Sequence, residues 1–125
     1  MLTYPPVTLS ERVADAACGP HEARLQSTED TVLAAMSPLP GVPVGVRCVT
    51  VAATMTIEIV LPNGTAPSAL ASSITTLAED GWSVIVLTPS ERCGEAHAGL
   101  RGVPCRIQQW WMDDDDVAFG PIEIP

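Results

Sequence analysis

One stretch of this sequence constrains the fold more than any other: an apolar segment, a helical pattern and a second apolar segment follow one another between residues 56 and 89. In the middle part, apolar side chains recur at helical spacing at Leu70, Ile74 and Leu77. Gly81 then provides a helix stop, and the run WSVIVLTP is typical of a strand buried on both faces. The stretch therefore predicts a βαβ unit with two parallel strands.

The first 45 residues carry a different pattern, which predicts two helices. The first helix, residues 9–18, follows a capping box formed by Thr8 and Glu11. The second lies within residues 21–36, where apolar side chains fall on one helical stripe. A proline-rich connector, SPLPGVPVG, comes next. We expect both helices to pack on a face of the sheet.

Apolar and polar side chains alternate over residues 46–61, which is the period of a strand. A tight hairpin at Ala52 and Ala53 would switch the parity of the apolar positions, and it lacks the glycine or asparagine that such a turn needs. The segment is therefore predicted as one long strand or as two strands joined without a tight turn.

The C-terminal sequence VPCRIQQWWM, four aspartates and VAFGPIEI predict a β-hairpin with a four-residue loop. In the first strand, alternation groups Trp111 with the apolar residue Ile107, and Trp110 with Arg106 and Gln108. We therefore predict that Trp111 lies in the core and that Trp110 is exposed.

An exposed tryptophan beside a methionine and a run of acids has the composition of an interface anchor with a charged rim. The alternative is that a helix covers this face and that Trp110 only shields it. The residues predicted to bind a partner are Trp110, Met112, Asp113, Asp114, Asp115, Asp116 and Arg106.

Together these patterns predict a single α/β or α+β domain over residues 1–125. Residues 1–45 form its helical N-terminal part and proline-rich connector, and residues 46–125 form the sheet. The sheet is predicted to be mixed, with one βαβ unit and a C-terminal hairpin, and the two N-terminal helices pack on it.

The balance of charge favours a protein partner. Fifteen acidic side chains against six arginines give a formal charge of −9, which repels a phosphate backbone and argues against direct binding of nucleic acid. A partner with a basic surface is the natural complement, and self-association into a homo-oligomer remains open. No apolar run is long enough to span a bilayer, and the N-terminus lacks a secretory signal pattern, so we expect no membrane association.

The use of basic residues and cysteines bears on source and compartment. All six basic side chains are arginines, which excludes the chemistry of a catalytic or phosphate-binding lysine and is typical of GC-rich genomes. A high-GC bacterium or one of its phages is therefore the favoured source. The four cysteines lack the spacing of a disulfide framework, so the expected location is the cytoplasm, or the virion if a phage encodes the protein.

Two sets of residues contain side chains of the types that bind metal ions. The pairs Cys18 and His21, and Cys93 and His97, could together supply four zinc ligands, but their separation matches no compact zinc module. The aspartate run lacks the alternation and the glycine of a calcium loop. The prediction is that the protein holds no metal and no cofactor.

Catalytic arrangements are also sparse. The sharpest nucleophile set is Cys93 or Cys105 with His97, near Glu95, and no sequence signature of a nucleophile surrounds it. The sequence therefore predicts a small, acidic, non-catalytic interaction or assembly subunit that is compatible with a phage accessory protein. Two alternatives stay open. One is an anti-defence inhibitor whose acidic surface mimics nucleic acid, and the other is a small α/β ligand-binding enzyme with its site near residues 63–65 and 88–91.

Overall fold

A computed structural model describes residues 12–13, 16–17, 31–34, 46, 48–51, 54–114 and 116–125 of the chain. Within these residues six strands form one sheet: β1 (Thr31–Ala34), β2 (Cys48–Val51), β3 (Thr56–Val60), β4 (Ser83–Pro89), β5 (Arg106–Asp113) and β6 (Asp116–Glu123). Two helices connect its parallel strands: α1 (Ala71–Glu79) and α2 (Cys93–Gly99). A short 3₁₀ turn precedes each helix, at Pro67–Leu70 and at Ser90–Arg92.

The spatial order of the strands is the same as their order in the chain, from β1 to β6. β3, β4 and β5 run parallel, and the remaining neighbours pair antiparallel. The predicted βαβ unit, β3–α1–β4, is confirmed. A second unit, β4–α2–β5, was not predicted because glycines at 94, 99 and 102 indicated a frayed segment. The protein is an α+β domain with a mixed sheet and two helices after its first strands.

Both faces of the sheet are buried. On one face, which we call the helix face, Ile74 and Leu77 of α1, and Leu100 directly after α2, pack against Ile57 and Ile107. On the opposite face, a second cluster is formed by Val13, Ala17, Val49, Val51, Val60, Leu87 and Trp110. A sheet covered on both sides explains why eight of the nine residues of β2 and β3 are buried, including the polar residues Thr50 and Glu58.

The alternation over residues 46–61 belongs to two paired strands. β2 and β3 form an antiparallel pair in which Val51 lies opposite Thr56, so the second of the two predicted alternatives is confirmed. The parity does switch at the connection: Val49 lies in the opposite-face cluster, whereas Ile57 and Ile59 lie on the helix face. The odd-numbered positions are apolar in both strands because β2 directs them into the core on one face and β3 directs them into the core on the other.

The prediction of a second N-terminal helix is wrong. Thr31–Ala34 is a strand that pairs with Cys48–Val51. The apolar spacing that suggested a helix also fits a short strand, and pairing with a neighbour overrides weak helical propensity. Of the first predicted helix, Arg12, Val13, Ala16 and Ala17 are helical, and Val13 and Ala17 pack on the sheet. The predicted connector, SPLPGVPVG, lies outside the described residues, and the description resumes at Val46, directly after it.

Among the residues that the structure describes, no helix has both the length and the apolar character needed to cross a bilayer.

Candidate functional site

The two adjacent tryptophans of β5 face opposite sides of the sheet, and their predicted assignment is wrong. Trp110 is 6% exposed and packs in the opposite-face cluster with Val13 and Leu87, whereas Trp111 is 42% exposed. The polar neighbours that suggested an exposed face for Trp110 lie nearer the start of the strand. Further along, residues from the N-terminal region cover that face, so local polarity did not indicate solvent.

The acidic turn is tighter than predicted. Asp113 and Asp116 pair with one another, so only positions 114 and 115 connect the strands. Asp114 has a φ of 54°, a left-handed conformation that aspartate tolerates better than most residues. Asp113, Asp114 and Asp116 are exposed, and Asp115 lies outside the described residues. The exposed residues Trp111–Asp114 and Asp116 make up the end of the hairpin, which we call the hairpin tip; Trp111 and Met112 point to its two opposite faces.

Arg106 was predicted to belong to the same partner-binding set, but it lies at the other end of β5. At about 3.3 Å per residue, seven residues place it roughly 23 Å from Asp113 along the strand. Arg106 and Ile122 instead line a shallow cleft of about 530 Å³ with Trp82, at the beginnings of the parallel strands. Of the predicted set, Met112 and the three described aspartates therefore lie together at the end of the hairpin, and the exposed tryptophan there is Trp111, on the other face of β5 from Met112.

A bulge in β6 determines which way its last residues point. Between the pairs Trp110 with Phe119 and Gln108 with Ile122, β5 advances two residues while β6 advances three. The additional residue reverses the alternation of the side chains, as bulges do. As a result Glu123 lies opposite Ile107 and on the helix face. Regular pairing would have turned it to the other side.

On that face Glu123 meets two side chains of α2. Cys93 and His97 are one helical turn apart and project to the same side. His97 Nε2 lies 3.3 Å from Glu123 Oε2, and Cys93 Sγ donates a hydrogen bond of 3.9 Å to the same oxygen. Gln109 Nε2 also donates to Oε2, at 3.4 Å. We call Cys93, His97 and Glu123 the Cys–His–Glu cluster; their ligand atoms all lie within 4.8 Å of one another.

The cluster is accessible to solvent, and its side chains shift the pKa values of Glu123 and Cys93. The side chains of His97 and Glu123 are 32% and 37% exposed. Hydrogen bonds from His97 and Gln109 hold the pKa of Glu123 below its usual value. Partial burial and the adjacent carboxylate raise the pKa of the Cys93 thiol. In this arrangement Cys93 is a protonated thiol that donates to a carboxylate.

This geometry differs from that of a thiol protease triad. Such a triad needs an imidazole that accepts the thiol proton and is itself oriented by an acid. Here the hydrogen-bond partner of the thiol is the carboxylate, and His97 Nε2 approaches the same carboxylate oxygen. The thiol pKa moves in the direction that disfavours a nucleophilic thiolate. The cluster therefore has the composition of a ligand set rather than of an activated nucleophile.

Sequence analysis found two members of this cluster and missed the third. Cys93 and His97 were predicted as a pair, whereas Glu123 and its partner Gln109 were not. The other candidates are elsewhere: Glu95 pairs with Arg92 at 3.1 Å, and burial raises the pKa of Cys105 to about 11. Cys18 and His21 lie outside the described residues. The signal that could have found Glu123 is the Gly120–Pro121 step, since proline within a strand indicates an edge or a bulge.

The turn between β3 and α1, considered above as a ligand site, is held by an arginine of the neighbouring segment. Arg92 Nη1 donates to the carbonyl oxygen of Pro62 at 3.1 Å, and Nη2 donates to that of Thr65 at 2.5 Å. Its side chain is only 18% exposed. Arg92 thus fixes the start of α2 to the start of the preceding crossover.

Replacement of Arg92 by alanine is expected to lower the free energy of unfolding by about 2 kcal/mol, because two carbonyl groups lose a charged donor. Arg92→Lys should restore less than half of the loss, since one ammonium lacks the planar fork that reaches both oxygens. Urea denaturation measures both. Glu95→Gln, which removes only the exposed ion pair, is the control and should stay close to the parent protein; an equal loss there would assign the effect to the ion pair.

Comparisons of the chain with protein families, with curated proteins and with solved structures found no match.

Proposed function

We propose that this protein is a small, acidic, non-catalytic interaction or assembly subunit that binds a protein partner through the hairpin tip. One observation carries the proposal. Among the described residues, five large apolar side chains are exposed, and four of them belong to the C-terminal hairpin and its tail: Trp111, Met112, Ile122 and Ile124. Two of these, Trp111 and Met112, stand next to three exposed aspartates.

This composition suits an anchored interface. Tryptophan and methionine are enriched at the centres of protein interfaces, and charged residues form their rims. Trp111 also has a firm support, because its ring lies against Gly120: a Cβ at Gly120 would stand 3.3 Å from Trp111 Cζ3. A large apolar side chain held in place loses little conformational freedom when it binds, which favours affinity.

The charge of the tip favours a basic partner. Three exposed aspartates on a chain of net charge −9 would repel a second copy of the same tip. A partner with a basic surface gains attraction and a faster encounter from the same charges. In this proposal the protein acts in the cytoplasm, or in the virion if a phage encodes it. The three described cysteines are free thiols, which suits a reducing compartment.

The test is quantitative affinity capture from a lysate of the source organism, with wild-type protein and Trp111→Ala as baits. If Trp111 is the anchor, its loss should reduce capture of the partner by at least tenfold, the effect of a strong interface residue. Met112→Ala should give a smaller loss. Capture should also fall as salt is raised, because the rim is charged.

Met55→Ala is the matched control. Met55 is 41% exposed, almost as much as Trp111, but it lies beside the start of β3, at the opposite end of the sheet. The proposal requires that this variant captures the partner as well as the wild-type protein does. Equal capture by all the baits would show that the hairpin tip is not the binding surface.

A further inference from the structure

We propose that the Cys–His–Glu cluster, formed by Cys93, His97 and Glu123, is a binding site for a divalent transition-metal ion, of which zinc is the best fit. This site is separate from the hairpin tip and does not depend on the proposed function.

Two of the three ligand–ligand distances within the cluster are close to those of a zinc site. Bonds of about 2.3 Å to sulfur, about 2.05 Å to nitrogen and about 2.1 Å to oxygen, at tetrahedral angles, place nitrogen and oxygen about 3.4 Å apart and sulfur and oxygen about 3.6 Å apart. The structure has 3.3 Å between His97 Nε2 and Glu123 Oε2, and 3.9 Å between Cys93 Sγ and the same oxygen. These two distances lie within a few tenths of an ångström of the tetrahedral values, and the third, between Cys93 Sγ and His97 Nε2, is at most 4.8 Å, so a small side-chain adjustment would complete a tetrahedral ligand set.

The chemical types of the ligands favour zinc over the hard cations. Thiolate and imidazole are the ligands of zinc and of softer transition metals, whereas calcium and magnesium require oxygen. A set of one sulfur, one nitrogen and one oxygen ligand leaves the fourth position open for water or for a ligand from another molecule. The exposure of His97 and Glu123 provides access for the ion and for that fourth ligand.

Three separate features of the fold hold the ligands together. The one-turn spacing on α2 places Cys93 and His97 on the same side, and the β6 bulge turns Glu123 towards them. The Ser90 hydroxyl donates to the Trp110 carbonyl oxygen at 3.3 Å, which fixes the start of this helical segment to β5. Ligands supported by a helix and a paired strand are better ordered than ligands on a loop.

Gln109 holds the carboxylate of Glu123 in its orientation towards α2. Its Nε2 donates to the carboxylate of Glu123, and a hydrogen bond of this kind orients a metal-binding carboxylate. Gln109 lies on β5 next to Thr88 of β4, whose side chain is fully buried. The ligand set therefore has an ordered support on its inner side and solvent on its outer side.

The thiol proton of Cys93 lies between the sulfur atom and the carboxylate of Glu123, where a metal ion would bridge the same two groups. Partial burial first, and the neighbouring carboxylate of Glu123 second, raise the pKa of the Cys93 thiol, because both make a thiolate at this position costly. A divalent ion removes this cost, because it stabilises the thiolate and the carboxylate together, and a coordinating thiol is deprotonated when the metal binds. A neutral thiol without metal is thus consistent with a thiolate ligand when metal is present.

Titration with Co²⁺, a spectroscopic substitute for Zn²⁺, tests the site. The wild-type protein should develop a thiolate-to-cobalt charge-transfer band and the visible bands of tetrahedral cobalt at one ion per chain, and Zn²⁺ should displace them. Cys93→Ser should abolish the charge-transfer band, and Cys105→Ser, the matched thiol control, should keep it. His97→Gln and Glu123→Gln should each weaken binding at least tenfold, and Gln109→Ala about tenfold.

Alkylation of the wild-type protein gives a second measurement that needs no variant. Zn²⁺ should slow the reaction of Cys93 with iodoacetamide at least tenfold and leave Cys105 unchanged, as read by mass spectrometry of peptides. Far-ultraviolet circular dichroism identifies any variant that fails to fold, and for such a variant the alkylation result decides. The proposal is overturned if wild-type protein gives no thiolate band, if the band survives Cys93→Ser in folded protein, or if Zn²⁺ leaves the alkylation of Cys93 unaffected.

Discussion

Replacement of Trp110 by alanine is expected to lower the free energy of unfolding by about 3–5 kcal/mol, the cost of removing a large aromatic side chain from a packed core. Trp110 is 6% exposed and contributes the largest side chain of the opposite-face cluster, where it packs with Val13 and Ala17. Its loss opens a cavity between the sheet and the helical residues near the N-terminus. Urea denaturation followed by circular dichroism measures the change.

The adjacent residue is the control. Trp111→Ala removes a side chain that is 42% exposed, and the expected loss is about 1 kcal/mol or less. The variants Trp110→Phe and Trp111→Phe both keep the third tryptophan, Trp82, so the difference between their spectra reports on positions 110 and 111. The emission of Trp111→Phe, which keeps Trp110, should be the more blue-shifted and the less quenched by iodide. Equal destabilisation by the two alanine variants would contradict the assignment of the faces.

A second large effect is expected at Ile107. This side chain is fully buried on the helix face, and the residue pairs with Glu123 across the hairpin. Ile107→Ala should lower the free energy of unfolding by about 2–5 kcal/mol. Because the cavity lies beside the strand that presents Glu123, amide hydrogen exchange at the end of β6 should rise more than in α1.

The control is an isoleucine-to-alanine substitution at Ile122, in the neighbouring pair of the same hairpin. Ile122 lies opposite Gln108 and is 47% exposed, so Ile122→Ala should cost about 0.5 kcal/mol. The two isoleucines differ in burial and not in chemistry, which makes the ratio of the two losses a measure of the core on the helix face. Losses of similar size would mean that Ile107 is not sealed from solvent.

Periodicity predicted the central βαβ unit because its signals were local: a helical stripe, a glycine stop and an apolar run of strand length. It failed at Thr31–Ala34, where Val32 and Leu33 fit a helix and a strand equally well and pairing with β2 decides. It also missed the crossover through α2, because the packing of Ala96 and Leu100 in the core outweighs the cost of two glycines in the helix.

The candidate sites show the same division between local and long-range information. The composition of the hairpin tip is visible in the sequence, and so is the spacing of Cys93 and His97. The facing of Trp110 depends on side chains near residue 13, almost a whole chain length away, and no pattern within β5 contains that information. The position of Glu123 depends on the bulge in β6, which shifts the alternation after Pro121.

The unbroken order of the strands, from β1 to β6, has a consequence for how the chain folds. Each strand pairs only with its neighbours in sequence, so building the sheet and the helix face closes only short or intermediate loops. The opposite face is different, because Val13 and Ala17 must meet Trp110 near the other end of the chain. Closing so long a loop costs more entropy than forming any hairpin. The opposite-face cluster is therefore expected to form last, so Trp110 should be exposed to water during the early stages of folding.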